Sequence, residues 1–292
     1  MSIETTRITF EVEGATIVGV LRTPQRARGV GAVTLGPLTS VKEQAAGAYA
    51  QALAERGFTT LAFDPRGFGE SGGAPRQYES PQRKVADMRA AANELERRGL
   101  ATVVAVGVCA GAGYAAGAVA GGPFAAFGAV AGFFHDVGQQ RAWMGECFEA
   151  AVAAGAQARR RFESTGEAAH IPAVGHDEDV AMPLEEAFAY YGTPRGAHPN
   201  YTNRFATMSR EMTLPWDAQG FAPRIDVPTL LIHSEAALAP AQARSFASRL
   251  GGPHEMVWVE SQGQIDFYDD PNRIEPAADR LSNFFAQVRP SA

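Results

Sequence analysis

The chain has 292 residues, 46% of them hydrophobic and 20% charged, with a net charge of -6. That apolar content can fill one large core and excludes a disordered chain, and two cysteines in so long a chain exclude a disulfide-built scaffold. The acidic balance offers no electrostatic footprint for nucleic acid or for an anionic membrane.

The first ten residues carry Glu4 and Arg7 among polar neighbours, with no charged-then-apolar leader. A cytoplasmic location is therefore expected, with Cys109 and Cys147 as reduced thiols. Arg7 to Val12 alternates, Glu13-Gly14 turns, and Thr16 to Arg22 returns, which predicts a hairpin. A strand over Gly29 to Leu35 follows, then a helix from Val41 to Arg56 stopped by Gly57. Thr59 to Phe63 reads as a strand broken by Asp64-Pro65-Arg66-Gly67, and Pro81 to Arg98 as a helix with a charged outer face.

From Gly99 to Phe134 there is no Asp, Glu, Lys, Arg or His. A membrane span needs about 20 apolar residues, so length alone permits one. The stretch is instead rich in Ala and Gly and is interrupted by Gly121-Gly122-Pro123. It divides into a strand (Ala101 to Val108), a small-residue helix (Ala110 to Ala120) and a strand (Ala125 to Phe133), as expected of parallel strands covered on both faces. Late in the chain come a strand at Val227 to Ile232, a helix at Pro240 to Leu250, a strand at Met256 to Val259 and a closing helix at Pro276 to Val288. Strands alternating with helices predict an α/β fold with a mostly parallel central sheet and helices on both faces. The alternation stops between Asp136 and Phe221, where helical patterns over Gln139 to Phe162, Leu184 to Tyr191 and Asn203 to Met212 read as a helical lid insertion. The expected division is a core of residues 1–136 and 222–292 and a lid of residues 137–221.

Gly107-Val108-Cys109-Ala110-Gly111 fits the G-x-nucleophile-x-G elbow, with Cys where Ser is commoner. The nucleophile of such a turn has strained backbone angles, and small neighbours let the chain fold back on itself. The N-terminus of the following helix favours a thiolate at Cys109, so a lowered thiol pKa is expected.

Three landmarks accompany the elbow: Gly36 to Ser40 after the third strand, Asp64 to Ser71 after the fourth, and Leu231 to Glu235 after the late strand. With them nearly the whole chain resembles the α/β-hydrolase superfamily, and within it the dienelactone-hydrolase-like branch that uses Cys. The resemblance implies an oxyanion hole built from the backbone N–H of Ala110 and of Leu38; Pro37 has no N–H to give. It also implies the order nucleophile, acid, His. Glu235 stands at the acid position. Gln264 stands where the His belongs, and glutamine cannot accept and return a proton at neutral pH.

Among the other histidines, His254 begins the last strand at the wrong end of the sheet, His233 lies at a strand terminus, and His170, His176 and His198 belong to the insertion. His135 follows the strand next to the elbow and is the preferred substitute acid/base, with Asp136 beside it to orient or charge it. Gln264, Asp136 and Thr39 complete the candidate pocket. Lys42 is expected in a solvated or ion-paired first turn, and Arg66 and Glu70 as loop braces. No Cys/His cluster has zinc spacing, and Gly67-Phe68-Gly69 lacks the rest of a dinucleotide fingerprint, so no metal or cofactor is expected.

The insertion carries Trp143, Phe148, Phe162, Phe188, Tyr190, Tyr191, Tyr201, Phe205 and Trp216. Most should pack the lid against the body, while a subset facing Cys109 points to a hydrophobic or aromatic small-molecule substrate. The leading expectation is a Cys-dependent enzyme acting on an ester, lactone or thioester. Cys109 would attack, Leu38 and Ala110 would hold the oxyanion, His135 would manage protons and Glu235 would orient a neighbour. The missing His leaves open a non-hydrolytic enzyme (cyclisation, isomerisation, C–C bond chemistry or acyl transfer), and fold alone also admits a ligand-binding protein. The small molecule is the expected partner; a homodimer is left open, since the sequence does not reveal the oligomeric state.

Overall fold

The computed structural model describes residues 2–176 and 179–288. Met1, residues 177–178 and residues 289–292, which fall within the expected core and lid ranges, lie outside the described residues.

The chain opens with β1 (Ile3–Val12) and β2 (Ala15–Pro24), longer than the alternation alone indicates. Glu13 and Gly14 join them with φ of 46° and 79°. Two left-handed positions match the twist of the flanking strands, which is why Glu-Gly closes this hairpin tightly. β3 (Val30–Leu35), α1 (Ala45–Glu55), β4 (Thr59–Phe63), α2 (Pro81–Arg97), β5 (Thr102–Val108), α3 (Ala110–Val119) and β6 (Ala126–Val130) then alternate as read. The second half adds β9 (Thr229–His233), α8 (Pro240–Ser248), β10 (His254–Trp258), α9 (Asp266–Asp269) and α10 (Pro271–Phe285).

The main sheet has eight strands in the order β1-β2-β4-β3-β5-β6-β9-β10. β2 runs antiparallel to β1 and β4, and every other pairing is parallel. α2 packs with α3, and α1 packs with α10, on the two faces. This is the expected α/β-hydrolase architecture. The uncharged stretch from Gly99 to Phe134 is the buried β5-α3-β6 unit at its centre, and every residue of α3 is buried. No helix among the described residues is long and apolar enough to cross a membrane.

Three boundaries differ from the sequence reading for local reasons. α1 starts at Ala45 rather than Val41, because the Val41 N–H donates to Gln44 Oε1 (3.0 Å) and the Lys42 N–H to Asp64 Oδ1 (2.8 Å). α10 starts at Pro271, where Asp270 caps the Asn272 N–H, and Pro276 lies inside the helix rather than at its start. The expected helix over Gln139 to Phe162 is two helices, α4 (Val137–Met144) and α5 (Cys147–Thr165), separated at Gly145 with φ 56°.

The rest of that segment holds β7 (His170–Ile171), α6 (Glu185–Tyr191), β8 (Phe205–Ala206) and α7 (Arg210–Thr213). β7 and β8 form their own two-stranded ribbon. Asn203 to Met212, expected as one helix, is thus a short strand followed by short helical turns.

Candidate active site

Cys109 occupies a conformation that few L-residues adopt, with φ 55° and ψ -126°. Such a residue costs about 1–3 kcal/mol and persists only when its surroundings over-determine it. Three backbone hydrogen bonds do so. The Cys109 N–H donates to the Val130 carbonyl (3.2 Å), and its carbonyl accepts from Ala112 and Phe133 (2.9 Å each). The flanking glycines are needed for space. A Cβ at Gly107 would lie 2.4 Å from Ala112 Cα, and one at Gly111 would lie 2.4 Å from the carbonyl oxygens of Leu35 and Gly36.

A cavity of about 540 Å³ reaches the cysteine. Cys109, Ala110, Leu38 and Gln264 line it from the sheet side, and residues of segment 137–221 close the other side. Its wall is mainly apolar, with Phe133, Met144, Val180, Met182, Leu214 and Ile265 prominent. Of the aromatics singled out from the insertion, Trp143, Tyr191 and Phe205 face it, and Trp143 is 81% exposed at its rim. Most of the others serve packing, such as Phe148 beneath the Arg141 guanidinium and Trp216 against Tyr114.

Ala110 is the first residue of α3, so its N–H has no intrahelical acceptor. The Leu38 N–H has no acceptor among the described residues. Their loop is held from below. Thr39, at φ 60°, donates its N–H to Glu79 Oε2 (3.2 Å), and Ser40 Oγ donates to the Pro37 carbonyl (2.8 Å). Glu79 is fully buried and paired with Lys84 at 2.6 Å, whose ammonium lies 5.2 Å from the Tyr114 ring centre. Thr39 is therefore a support of the loop and does not line the cavity.

Lys42 is ion-paired, as one of its two expected environments had it, but deeply buried. Its Nζ meets Asp64 (2.7 Å), Glu70 (2.6 Å) and Glu43 (2.7 Å). Arg66 and Glu70 brace loops as expected, Arg66 through buried Asp87 at 2.6 Å and Glu70 through Lys42 and Arg7.

The sulfur is not the expected thiolate. Burial pushes the Cys109 thiol up to about 11, against the opposing donors Tyr268, Ala110 and Gln264, and the Glu186 carboxylate adds to the rise. The helix terminus is too weak to offset desolvation in so apolar a wall.

Gln264 fills the base slot as a structural amide. Nε2 donates to the Ala131 carbonyl (2.9 Å) and Oε1 accepts from the Leu238 N–H (2.9 Å). His135 reaches the cavity wall, but it stacks on Tyr114 (5.6 Å between ring centres) and no hydrogen bond joins it to Cys109 among the described residues. Its Nδ1 is buried without a hydrogen-bond partner among the described residues. Burial first, and then the charge of Lys84, lowers the imidazole to about 3. A neutral ring with so little proton affinity does not suit the proton-managing role expected of it. Asp136 does not orient it; its carboxylate caps α4 by accepting from the Gln139 N–H (3.0 Å). Glu235 misses the site altogether, with its side chain 67% exposed and paired with Arg244. His233 is a core residue held by Ser234 and the Gly132 carbonyl, and exposed His254 opens β10 at the end of the strand away from the elbow.

Among the polar residues at the cavity that were not singled out from sequence, two stand next to Cys109 and Gln264. Tyr268, on α9, lines the cavity four residues past Gln264, and its hydroxyl opposes the rise of the Cys109 thiol. Glu186 on α6 accepts the Gln264 N–H at 2.9 Å. Nothing in its local sequence distinguishes it from its neighbour Glu185.

Residues 43–259 match the family described as serine aminopeptidase, S33. The chain belongs to this family of α/β-hydrolases. It is 31% identical to the uncharacterized protein YcjY of Escherichia coli (strain K12) over 266 residues, covering 86% of each. It is also 31% identical to the uncharacterized protein PA2218 of Pseudomonas aeruginosa, over 97% of this chain and 80% of that one. The crystal structure of PA2218 superposes with a TM-score of 0.81 at 28% identity, covering 98% of this chain and 94% of that chain. The α/β-hydrolase GrgF from Penicillium sp. sh18 superposes with a TM-score of 0.81 at 20% identity over 99% of both chains, a likeness of fold. The family description names a serine; this S33-family chain carries Cys109 at the elbow.

Proposed function

We propose that this S33-family hydrolase performs covalent chemistry at a carbonyl, through Cys109, on the ester, lactone or thioester of a hydrophobic or aromatic small molecule, as in the dienelactone-hydrolase-like branch. The observation that carries the reading is the strained elbow, which holds Cys109 at the wall of an apolar cavity of about 540 Å³ beside two backbone N–H groups without backbone acceptors. The substrate carbonyl would sit over the sulfur with its oxygen between Leu38 and Ala110. Segment 137–221 would act as the lid that shuts water out and supplies most of the apolar wall. As the Sγ–C bond forms, the carbonyl π pair moves to oxygen and the thiol proton leaves. Collapse then expels the alcohol or thiol, which takes that proton, and leaves an acyl-Cys109 thioester. Each oxyanion donor is typically worth about 3 kcal/mol in the transition state.

A thiol near 11 is about one part in ten thousand ionised at pH 7, so proton loss accompanies attack rather than preceding it. Iodoacetamide labelling of Cys109 should therefore climb roughly tenfold per pH unit up to about pH 10. Peptide mapping is needed to separate it from exposed Cys147.

Rapid mixing with p-nitrophenyl butyrate tests the reading. The expected result is a burst of nitrophenol with a butyryl adduct mapped to Cys109, both abolished in Cys109→Ala. A burst that survives Cys109→Ala, or a wild-type enzyme that never forms the adduct, sinks it.

A second, non-hydrolytic reading has its own support. Gln264 fills the base slot with both ends of its amide engaged, and His135 is neutral. A thioester that water does not clear would wait for the substrate's own nucleophile, giving cyclisation, isomerisation, C–C bond formation or acyl transfer.

A further inference from the structure

The reaction needs a proton acceptor, and the three residues singled out for the triad do not supply one at the sulfur. Glu235 is on the surface, Gln264 has no basic atom, and His135, though on the cavity wall, is stacked on Tyr114 with its proton affinity lowered to about 3.

One carboxylate does line the cavity. Glu186, on α6 of the inserted segment, reaches across to the core and docks Oε2 on the backbone N–H of Gln264, the residue that occupies the base slot. The dock is shaped for it. A Cβ at Gly263 would lie 2.4 Å from that same oxygen, so a side chain there would push the carboxylate off this position. Oε1 has no hydrogen-bond partner and the carboxylate no cationic partner among the described residues. Arg210, the other charged residue on the cavity wall, is already paired with Asp179. Glu186 and Cys109 line the same cavity without a hydrogen bond between them among the described residues, and the carboxylate's charge adds to the rise of the thiol.

We infer that Glu186 is the catalytic base of this site, delivered by the inserted helix α6 in place of a histidine after the last strand. The inference rests on the proposal that Cys109 is acylated. During acylation Glu186 takes the thiol proton and passes it to the departing alcohol. During release it takes a proton from the attacking water as the water oxygen bonds to the acyl carbon. The C–S bond then breaks, and Glu186 returns that proton to sulfur. The sum is thioester plus water giving acid plus thiol, with no other reactant. A thiol of high pKa suits the last step, because the sulfur reclaims its proton readily.

The test follows the butyryl-Cys109 adduct by intact mass after a pulse of p-nitrophenyl butyrate. Glu186→Gln should slow both burst and adduct decay by about 100-fold or more, the scale of lost general base catalysis, with KM little changed. Gly263→Ala, which keeps the carboxylate but fills its seat, should slow decay in the same direction. Formate should restore turnover to Glu186→Ala and not to Cys109→Ala, a rescue that a merely structural Glu186 would not show. Adduct decay at the wild-type rate in Glu186→Gln, or no rescue by formate, overturns the inference while leaving Cys109 as nucleophile. A wild-type enzyme that never forms the adduct removes both readings together.

Discussion

The elbow after β5 and the loops after β9 and β10 lie at the same end of one sheet, yet they are built differently. The elbow is locally specified: Gly107, Cys109 and Gly111 stand within five residues, and backbone crowding alone dictates the small ones. The triad loops are specified by contacts across the chain. Gln264 is tied to Ala131, Leu238 and Glu186, and what stands in the base slot makes sense only with all three in place. A local motif survives reading as a string of letters. A site assembled from distant segments does not.

Four changes break or sharpen this contrast. The largest effect is expected at the elbow: Gly111→Ala forces a Cβ to 2.4 Å from two carbonyl oxygens and should cost about 3 kcal/mol or more, read as a lowered urea midpoint. A midpoint equal to wild type would show that the turn is less crowded than argued.

Next comes acid sensitivity at His135. The folded imidazole stays unprotonated down to about 3, whereas the unfolded chain takes up a proton near 6.5. Stability from this group is therefore intact above 6.5 and lost as pH falls toward 3, by about 2 kcal/mol at pH 5. His135→Phe should flatten the difference between urea midpoints at pH 7 and pH 5; an unchanged slope would place the acid sensitivity elsewhere.

Third, Gln264→Ala leaves the buried Ala131 carbonyl and the half-buried Leu238 N–H without their partner, at a cost of about 1–2 kcal/mol by denaturant titration. The smallest effect belongs to the position that the family pattern makes prominent. Glu235→Ala removes only an exposed ion pair with Arg244, so stability should change by less than about 1 kcal/mol and the proposed turnover of p-nitrophenyl butyrate hardly at all. A large loss of turnover there would bring Glu235 back into the site.

Much of the fold was legible. Thr59–Phe63 has the bounds read from its sequence, and the β5-α3-β6 unit stands within one to three residues, because buried parallel strands are unbroken apolar runs between glycine stops. Pro276 misled the reading of α10, since an in-helix proline looks the same as a helix start until Asp270 is seen capping the first turn. In the candidate site, Cys109, Ala110, Leu38 and Gln264 line one cavity. Glu235 and Asp136 do not, because proximity along the chain to a strand end says nothing about which way a side chain turns. Glu186 and Tyr268 went unnoticed because their importance lies in what faces them.

From its letters alone, this chain commits to a parallel sheet, a glycine-framed elbow and a cysteine at its crest, since each follows from spacing, chain stiffness and the room a backbone needs. The charge state of that cysteine and the identity of the groups around it were decided by tertiary structure. Desolvation outweighs the helix terminus at Cys109, and a carboxylate 78 residues from Gln264 in sequence arrives at its backbone N–H. Burial and long-range approach are properties of the folded volume, and no local pattern carries them.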